Sequence, residues 1–158
     1  MTAALVAWIT AGLAALRASS DLSGCHIADS TQLGYDDFVG SDLVMLGDDT
    51  DDQGYTASLN GDWHDTGSGA YQRATAEVAF TVVSQSGAAA TAAARLAALD
   101  TLVGYVVAAL VPSPAGSNLD VATVVGAVPG NVRVSQVTTA SGIRVAVAAI
   151  TIRLDILA

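Results

Sequence analysis

Residues 86–110 read SGAAATAAARLAALDTLVGYVVAAL and carry the longest helical pattern in the chain. Ser86 is predicted to cap this helix by accepting a hydrogen bond from a free backbone N–H. Pro112 and Pro114 end it, because proline lacks the N–H and clashes with the preceding turn. The alanine-rich first half lets another backbone come close, so we expect the helix to lie flat on a sheet and allow contact with a second subunit. Its apolar face is predicted at Leu96, Leu99, Leu102, Val103, Val106, Val107 and Leu110.

A second helix is predicted near residue 1, where apolar residues recur at helical spacing and Ser19 to Asp21 end the pattern. Arg17 is its only cation, which favours a packed helix over one that binds a membrane surface. The apolar run 2–16 is too short to span a bilayer and has no Lys or Arg ahead of it. We therefore expect a soluble, non-secreted protein without membrane contacts. The face of this helix is Leu5, Trp8, Ile9, Gly12, Leu13 and Leu16.

Short apolar or alternating runs predict the strands. The predicted strands are Asp42–Leu46, Tyr55–Leu59, Glu77–Val83, and a terminal hairpin of Val132–Thr138 and Ile143–Ile156. Asn60-Gly61 and Pro129-Gly130 are interpreted as turns. Residues 21–41 and 62–70 are interpreted mainly as loops, and residues 120–128 fit either a strand or a packed loop.

The last strand changes its hydrophobic phase. Val145 and Val147 occupy odd positions, whereas Ile150 and Ile152 begin a series on even positions. A period of two changes phase through an extra residue, so we predict a β-bulge at Ala148-Ala149. The order of helix, strands, helix and strands predicts one α+β domain over residues 1–158, with a mostly antiparallel β-sheet packed against two main α-helices.

Composition limits the classes of partner. The 158 residues carry a formal net charge of −9, and all six basic residues are arginine. No basic run is present that could hold a phosphate backbone, which argues against ordinary DNA or RNA binding. The chain is 52% hydrophobic and 13% charged, with a mean hydropathy of +0.50. So little surface charge indicates that partners cover part of the surface.

Residues 47–54 read GDDTDDQG, and the acidic run at 48–54 is similar to part of a calcium-binding loop. Counted from Asp49, Asp51 takes the third position, Gln53 the fifth and Gly54 the sixth of an EF-hand. The twelfth position is Asn60, where a bidentate Glu is needed, and no helices flank the run. The pattern therefore favours a solvated acidic turn over a metal site.

No motif marks a catalytic site, a cofactor or a metal. The candidate soft-metal or nucleophilic residues are Cys25, His26, Asp62, His64 and Asp65. They lack the short ligand spacing of zinc sites, and nothing in the sequence identifies a Cys/His nucleophile pair. A single cysteine also excludes an internal disulfide. We therefore expect a protein that is not an enzyme.

The few cations are expected to pair with carboxylates, either within the chain or between subunits. We predict inter-subunit contacts at Arg73, Glu77, Arg95, Arg133, Arg144 and Arg153.

The layout resembles the tail terminator proteins of long-tailed phages, especially those that infect actinobacteria. The resemblance lies in the N-terminal helix, in LVMLGDDTDDQG at 43–54 and in DWHDTGSGAYQRATAEVAFTVV at 62–83. Within the second segment, Trp63, Arg73 and Glu77 are the nearest features to a marker. An alanine-rich helix, a Pro/Gly loop and a terminal hairpin complete it, so the resemblance covers nearly the whole chain.

The resemblance implies a structural role in the virion. A ring, typically a hexamer, caps the tail tube, stops its polymerisation and joins the tail to the DNA-filled head. The implied partners are other copies of the chain, the tail tube protein, a head-side neck or connector protein, and DNA that passes without specific binding. The resemblance also implies that the protein assembles in the host cytoplasm and lies at the head-proximal end of the tail. An acidic lumen would let DNA slide past, which predicts pore-facing side chains at Asp48, Asp49, Asp51 and Asp52.

Three alternatives stay open from the sequence. One is a neighbouring head–tail connector or neck protein. Another is a small calcium-binding module built on the acidic run. The third is an enzyme that uses Cys25 or His64.

Overall fold

A computed structural model describes residues 2–30, 38, 40–48, 56–64, 71–87, 91–113, 118–138 and 143–157. Within these ranges the helices are α1 (Thr2–Ala18) and α2 (Ala92–Leu110), with a 3₁₀ turn at Ser20–Leu22. The strands are β1 (Cys25–Ala28), β2 (Asp42–Leu46), β3 (Ala57–His64), β4 (Tyr71–Ser84), β5 (Val124–Thr138) and β6 (Arg144–Leu157). Two helices and a mostly antiparallel six-stranded sheet confirm the predicted α+β class.

The sheet is built around β4 and β6. Its order is β1-β2-β4-β6-β5, and β3 pairs with the first part of β4 on the side where β2 pairs with the last part. Only β1 and β2 run parallel within the described residues. The β4–β6 register is continuous from Arg73 opposite Leu157 to Ser84 opposite Ala146. These two strands therefore form the centre of the fold, and β5 is left at one edge.

Both helices cover one face of the sheet. The buried side of α2 packs on β4 and β6, and α1 packs against α2. Period-two alternation in β4 directs Val78, Phe80 and Val82 into this main core, and all three are fully buried. Trp8 of α1 is also fully buried there. Burying large apolar side chains of this kind contributes about 1.5–3 kcal/mol each before the entropy of ordering is subtracted.

A second, smaller core lies on the opposite face and explains the phase change in β6. Val145 and Val147 pack into this cluster, whereas Ala148 and Ile150 pack into the main core. The register with β4 shows no shift at Ala148-Ala149, so the predicted bulge there is wrong. The phase changes because β6 is buried on both faces over its first half and on one face afterwards. The members of the second cluster are Ala28, Leu43, Met45, Val83, Val145 and Val147, with Phe38 and Ile143 against them.

The start of α2 differs from the prediction, whereas its end agrees. Thr91 is the N-cap, and its side-chain oxygen accepts a hydrogen bond from the Ala94 N–H at 3.1 Å. Ser86 lies before the helix and binds Asp42 instead, so the predicted Ser86 cap is wrong. The last helical residue is Leu110, two positions before Pro112. Leu96, predicted on the core face, is 38% exposed.

Sheet pairing overrides several local signals. Strand β2 has the predicted bounds, but β1 forms within the stretch interpreted mainly as loop, because β2 offers it a parallel partner. The Asn60-Gly61 turn is also wrong, since both residues lie inside β3, opposite Thr75 and Ala74. Strand β4 likewise begins six residues before the predicted start at Glu77. Asp62 to His64 continue β3 rather than begin a loop.

The irregularity predicted for β6 occurs in β5. Register shifts interrupt β5 between Val124 and Gly126 and between Pro129 and Val132. A Cβ on Gly130 would collide with Oγ1 of Thr151, and that hydroxyl accepts a hydrogen bond from the Asn131 N–H at 2.8 Å. Gly130 and Asn131 therefore form a bulge opposite Thr151 inside one long strand, and Pro129-Gly130 is not the predicted turn.

Candidate functional site

The second half of β5 presents a regular strand edge. Residues 132–138 pair one-to-one with residues 144–150 of β6 and have no further strand beside them in the described part of the chain. Alternate backbone N–H and C=O groups on the outer side of this segment are therefore available for pairing. The bulge and Pro129 protect only the first half of β5, because proline and irregularity both hinder the addition of another strand.

An apolar groove runs beside this edge, between β5 and α2. Val132 and Val134 form one wall, and Leu96 of α2 stands opposite. The exposed fractions are 52% for Val132, 56% for Val134 and 38% for Leu96. We call the groove and the adjoining edge at residues 132–138 the β5 groove. Its volume is about 220 Å³, and its lining is Leu96, Leu99, Asp100, Val103, Val132 and Val134.

The far end of the β5 groove is polar. Nε2 of Gln136 donates a hydrogen bond to the Ala92 carbonyl at 3.1 Å, which ties β5 to the first turn of α2. Beyond this bond, Thr138 and Arg144 line a second depression of about 390 Å³. An apolar groove that ends in an arginine offers both contact area and a charge that selects an acidic partner.

Charge is strongly separated along the chain. Residues 21–65, which contribute β1, β2 and β3, hold eleven of the fifteen acidic residues and neither Lys nor Arg. Residues 121–157, which contribute β5 and β6, hold three arginines and one aspartate. Strands β1 and β5 are at opposite ends of the sheet order.

Three of the predicted contact arginines are available at the surface. Arg133, Arg144 and Arg153 are exposed, and no carboxylate among the described residues lies within salt-bridge distance of them. Arg153 is directly opposite Glu77 in the β4–β6 ladder. Arg73 is exposed but is paired within the subunit, since its Nη2 lies 3.7 Å from Oδ2 of Asp155. Contact of these residues with a second subunit stays a prediction.

Arg95 has a different place from the one predicted. It is only 4% exposed, and its guanidinium donates hydrogen bonds to the Ser86 carbonyl at 2.7 Å and the Gly87 carbonyl at 2.8 Å. Its side chain is therefore used inside its own subunit. The physical reason is that the half-buried chain before α2 leaves two carbonyls that need donors, and a guanidinium supplies several donors in one plane.

Asp42 holds the same segment from the other side, a role that the sequence did not reveal. Its Oδ1 accepts hydrogen bonds from the backbone N–H groups of Gln85 and Ser86, both at 2.8 Å. Its Oδ2 accepts one from the Ser86 hydroxyl at 2.7 Å. Asp42 and Arg95 thus position the connection from β4 to α2. No short motif links residues 42, 86 and 95, so only the fold brings them together.

The acidic run can be followed only in part. Asp49, Asp51 and Asp52 lie outside the described residues. Asp48 is 4% exposed, so its carboxylate is inside the subunit and does not fit the predicted pore-facing position. The interpretation as a calcium site also fails for the second half of the loop. The ninth to twelfth positions of the loop belong to β3, whereas an EF-hand needs an exiting helix there. The loop's first half, including Gln53 and Gly54, is outside the described residues.

The cysteine and histidines do not assemble into a nucleophilic pair. Cys25 lies opposite Asp42 at the Ser84 end of β4, whereas His64 lies opposite Tyr71 at the other end. At about 3.3 Å per residue, these ends are roughly 40 Å apart. Burial, aided by the charge of Asp42, raises the pKa of the Cys25 thiol from 9.0 to about 11, which keeps it protonated and weakly nucleophilic at neutral pH.

The remaining members of that set are equally separate. The His26 ring stacks on Phe38 with centroids 4.3 Å apart, as a packing contact on the second core. Asp62 belongs to β3, and Asp65 lies outside the described residues. Within the described ranges, no three His, Cys, Asp or Glu side chains are grouped as a metal site.

The outer surface of α2 is unusually apolar. By length and composition, α2 could cross a membrane, with a hydropathy of 1.6 over its apolar window. In this fold it is the helix that packs on β4 and β6, with Leu99, Val106 and Leu110 buried. Of its outer residues, Leu96 is 38% exposed at the β5 groove, and Tyr105 is 40% exposed in a separate depression that Ala15, Ala18 and Asp21 also line.

Comparison with known proteins gives no relative: no protein-family model matches the chain, and no curated protein matches it in sequence.

Proposed function

We propose that the chain is a structural subunit of a phage tail, the tail terminator, which forms a ring on the tail tube, stops its polymerisation and joins it to the head. The observation that supports this most directly is the β5 groove, where a strand edge and two half-exposed valines lie uncovered. A subunit that closes into a ring must carry such a surface, because each flank is buried only on assembly.

The charge of the chain supports the same role. A net charge of −9 gives a ring whose overall potential repels DNA, so DNA can pass without sticking. The described surface also carries its cations as scattered single arginines on α1, β4, β5 and β6, which do not form a groove for a phosphate backbone. The proposed mechanism is assembly alone, with no covalent step.

The proposal is tested by tail length. We would delete the gene in the phage that carries it and measure the tails by electron microscopy, with the wild-type gene supplied in trans as the control. Overlong, irregular tails without heads, restored to a uniform length by the supplied gene, would establish termination. Two other outcomes would contradict the terminator role. Unattached tails of normal length would indicate a connector or neck protein. Normal infectious particles would contradict any structural role.

A further inference from the structure

We propose that the β5 groove binds an extended segment of another protein, which adds to β5 as a further strand and carries a carboxylate between two apolar residues. The groove supplies the apolar contact, the edge at residues 132–138 supplies backbone pairing, and Arg133 selects the carboxylate. The proposal does not rest on the tail terminator role. In a tail, a segment of a neighbouring protein would bury the groove on assembly, as that role requires.

The edge at residues 132–138 has the length and regularity that strand addition needs. Its residues pair one-to-one with β6, and at about 3.3 Å per residue they extend over roughly 23 Å. An ordinary strand has about five or six residues, so this edge can accept a complete one. The first half of β5 is irregular and contains Pro129, which has no N–H to donate. Strand addition to β5 is therefore confined to its second half.

Two side chains of the added strand would cover the apolar groove. Val132 and Val134 lie two residues apart, so both project on the side of β5 that faces α2, where Leu96 lies across the groove. Residues directly opposite each other on neighbouring strands have Cβ atoms about 4.5–5.5 Å apart. The partner's side chains beside the two valines are therefore held over the groove, and apolar ones remove the exposed valine surface from water.

Charge selects the residue between those two. Arg133 projects on the other side of β5, because side chains alternate along a strand, and it is exposed with no carboxylate partner among the described residues. A carboxylate directly beside it forms a favourable cross-strand pair, whereas a cation there is unfavourable. Asp100 lines the groove on the α2 side, so it disfavours a carboxylate at either apolar position. The preferred segment is therefore apolar, acidic, apolar.

A folded second copy of this chain does not offer such a segment. The sequence contains the pattern at Ala76–Val78, Leu119–Val121 and Leu154–Ile156. Glu77 and Asp155 are the acidic residues of the first and last, and they lie in β4 and β6 with strand partners on both sides. Asp120 has a φ of 62°, a left-handed conformation that an extended strand does not have. The occupant that fits the β5 groove is therefore a different protein.

The first experiment follows amide hydrogen exchange of the purified chain by NMR, with a peptide as the probe. The probe is acetyl-Thr-Thr-Val-Glu-Val-Thr-Thr-amide, which reads the same in both directions and so fits a parallel or an antiparallel addition. Because the outward N–H groups of an edge strand alternate, we expect slower exchange at alternate residues of 132–138, by about tenfold when the peptide is at about ten times its Kd. The control peptide has Lys in place of Glu and should bind about tenfold more weakly.

One pair of variants tests the apolar part of the site. Val134→Asp places a charge in the groove, and Val6→Asp on α1 is its matched control, because both valines are 56% exposed. We expect Val134→Asp to weaken binding of the Glu peptide by about tenfold or more, and Val6→Asp to leave it unchanged. Circular dichroism confirms that both variants are folded.

A second pair of variants tests the selection by charge. Arg133→Glu should reverse the preference, so that the Lys peptide binds more tightly than the Glu peptide. Arg17→Glu makes the same change of net charge at an exposed position on α1 and should keep the original preference. A reversal confined to Arg133→Glu would show that this arginine lies beside the charged residue of the peptide.

Three outcomes would overturn the proposal. One is unchanged exchange at residues 132–138 with about 1 mM peptide, a concentration at which even a weak complex is populated. Another is an Arg133→Glu chain that still prefers the Glu peptide. The third is self-association of the wild type that Val134→Asp abolishes and the Glu peptide does not inhibit, because the edge would then pair with a second copy.

These results and the tail-length result are independent. Peptide binding with the expected pattern, together with normal tails after deletion of the gene, would retain this site and reject the terminator role. Overlong tails together with no peptide binding would retain the terminator role and reject the site.

Discussion

Strands β5 and β6 are the two arms of one hairpin, nearly equal in length, and they differ in almost every other respect. Strand β6 lies between β4 and β5 and holds one continuous register with β4. Strand β5 has a partner on one side and two register shifts. Val132 and Ile150 face each other across the ladder, yet Val132 is 52% exposed and Ile150 is 1% exposed.

The difference shows that position in the sheet, and not residue type, decides what a hydrophobic side chain does. Strand β5 is rich in valine, and β6 is rich in alanine, isoleucine and valine. In β6 these residues are enclosed between the two cores and stabilise the fold. In the second half of β5 the same class of residue is exposed, because no helix or strand of the described chain covers the outer edge. The comparison predicts different consequences for the same kind of substitution.

The largest expected effect is on the β6 side of this pair. Ile150→Ala leaves a cavity in the main core and should lower the free energy of unfolding by about 2–5 kcal/mol. Val132→Ala, directly opposite, should change it by no more than about 0.5 kcal/mol, as surface substitutions do. Urea unfolding of both variants, followed by circular dichroism at a monomeric concentration, measures the difference. Equal losses would contradict the assignment of β5 to the surface.

Two arginines allow the same comparison of stability, because Arg95 is buried and Arg133 is exposed on β5. Arg95→Met removes the charged donors to the Ser86 and Gly87 carbonyls and should cost about 1.5–3 kcal/mol, the range for a hydrogen bond to a charged group. Arg133→Met at the exposed edge is the control, with no measurable loss expected. The same denaturant titration applies. An Arg95 variant as stable as the Arg133 variant would show that the guanidinium does not hold the start of α2.

Gly130 lies in the first half of β5, and substitution of this glycine tests how closely the bulge packs on Thr151. Gly130→Ala brings a methyl group onto Oγ1 of Thr151 and to 3.2 Å from its carbonyl oxygen, so about 1–3 kcal/mol of stability should be lost through overpacking. Gly104→Ala in α2 meets nothing within 4 Å and should instead stabilise by about 1 kcal/mol through helix propensity. Thermal unfolding distinguishes the two signs. Stabilisation by Gly130→Ala would mean that the bulge is not a close approach.

The sequence correctly predicted those helices and strands whose structure is determined by the residues within them. Strand β2 and the end of α2 follow directly from apolar runs and proline, and the alternation in β4 identified the main core face. The α+β class followed from the order of these elements. Each of these signals is contained in one short window, which is why it could be interpreted without the rest of the chain.

The elements that were missed depend on distant partners. Cys25–Ala28 becomes a strand because β2 is beside it, and Asn60-Gly61 stays extended because β4 supplies the ladder. The second core has no local signature beyond the phase change in β6, and that change is equally compatible with a bulge. The candidate site was missed for the same reason: its walls come from α2 and β5, and exposure of Val132 is a property of the folded sheet.

The smallest expected effect concerns the opposite edge strand, β1, whose Cys25 is partly covered, unlike the outer residues of β5. Burial and then the charge of Asp42 raise the pKa of this thiol, so thiolate absorbance should titrate at about 11 in the folded chain and near 9.0 in urea. Because the unfolded chain loses its proton first, this contribution to stability is complete below pH 9 and declines as pH rises towards 11. Cys25→Ser removes the thiol and is the control, since its stability should lack that part of the decline. A folded thiol that titrates near 9 would show that β1 is as open to water as β5, and the contrast between the two edges would be lost.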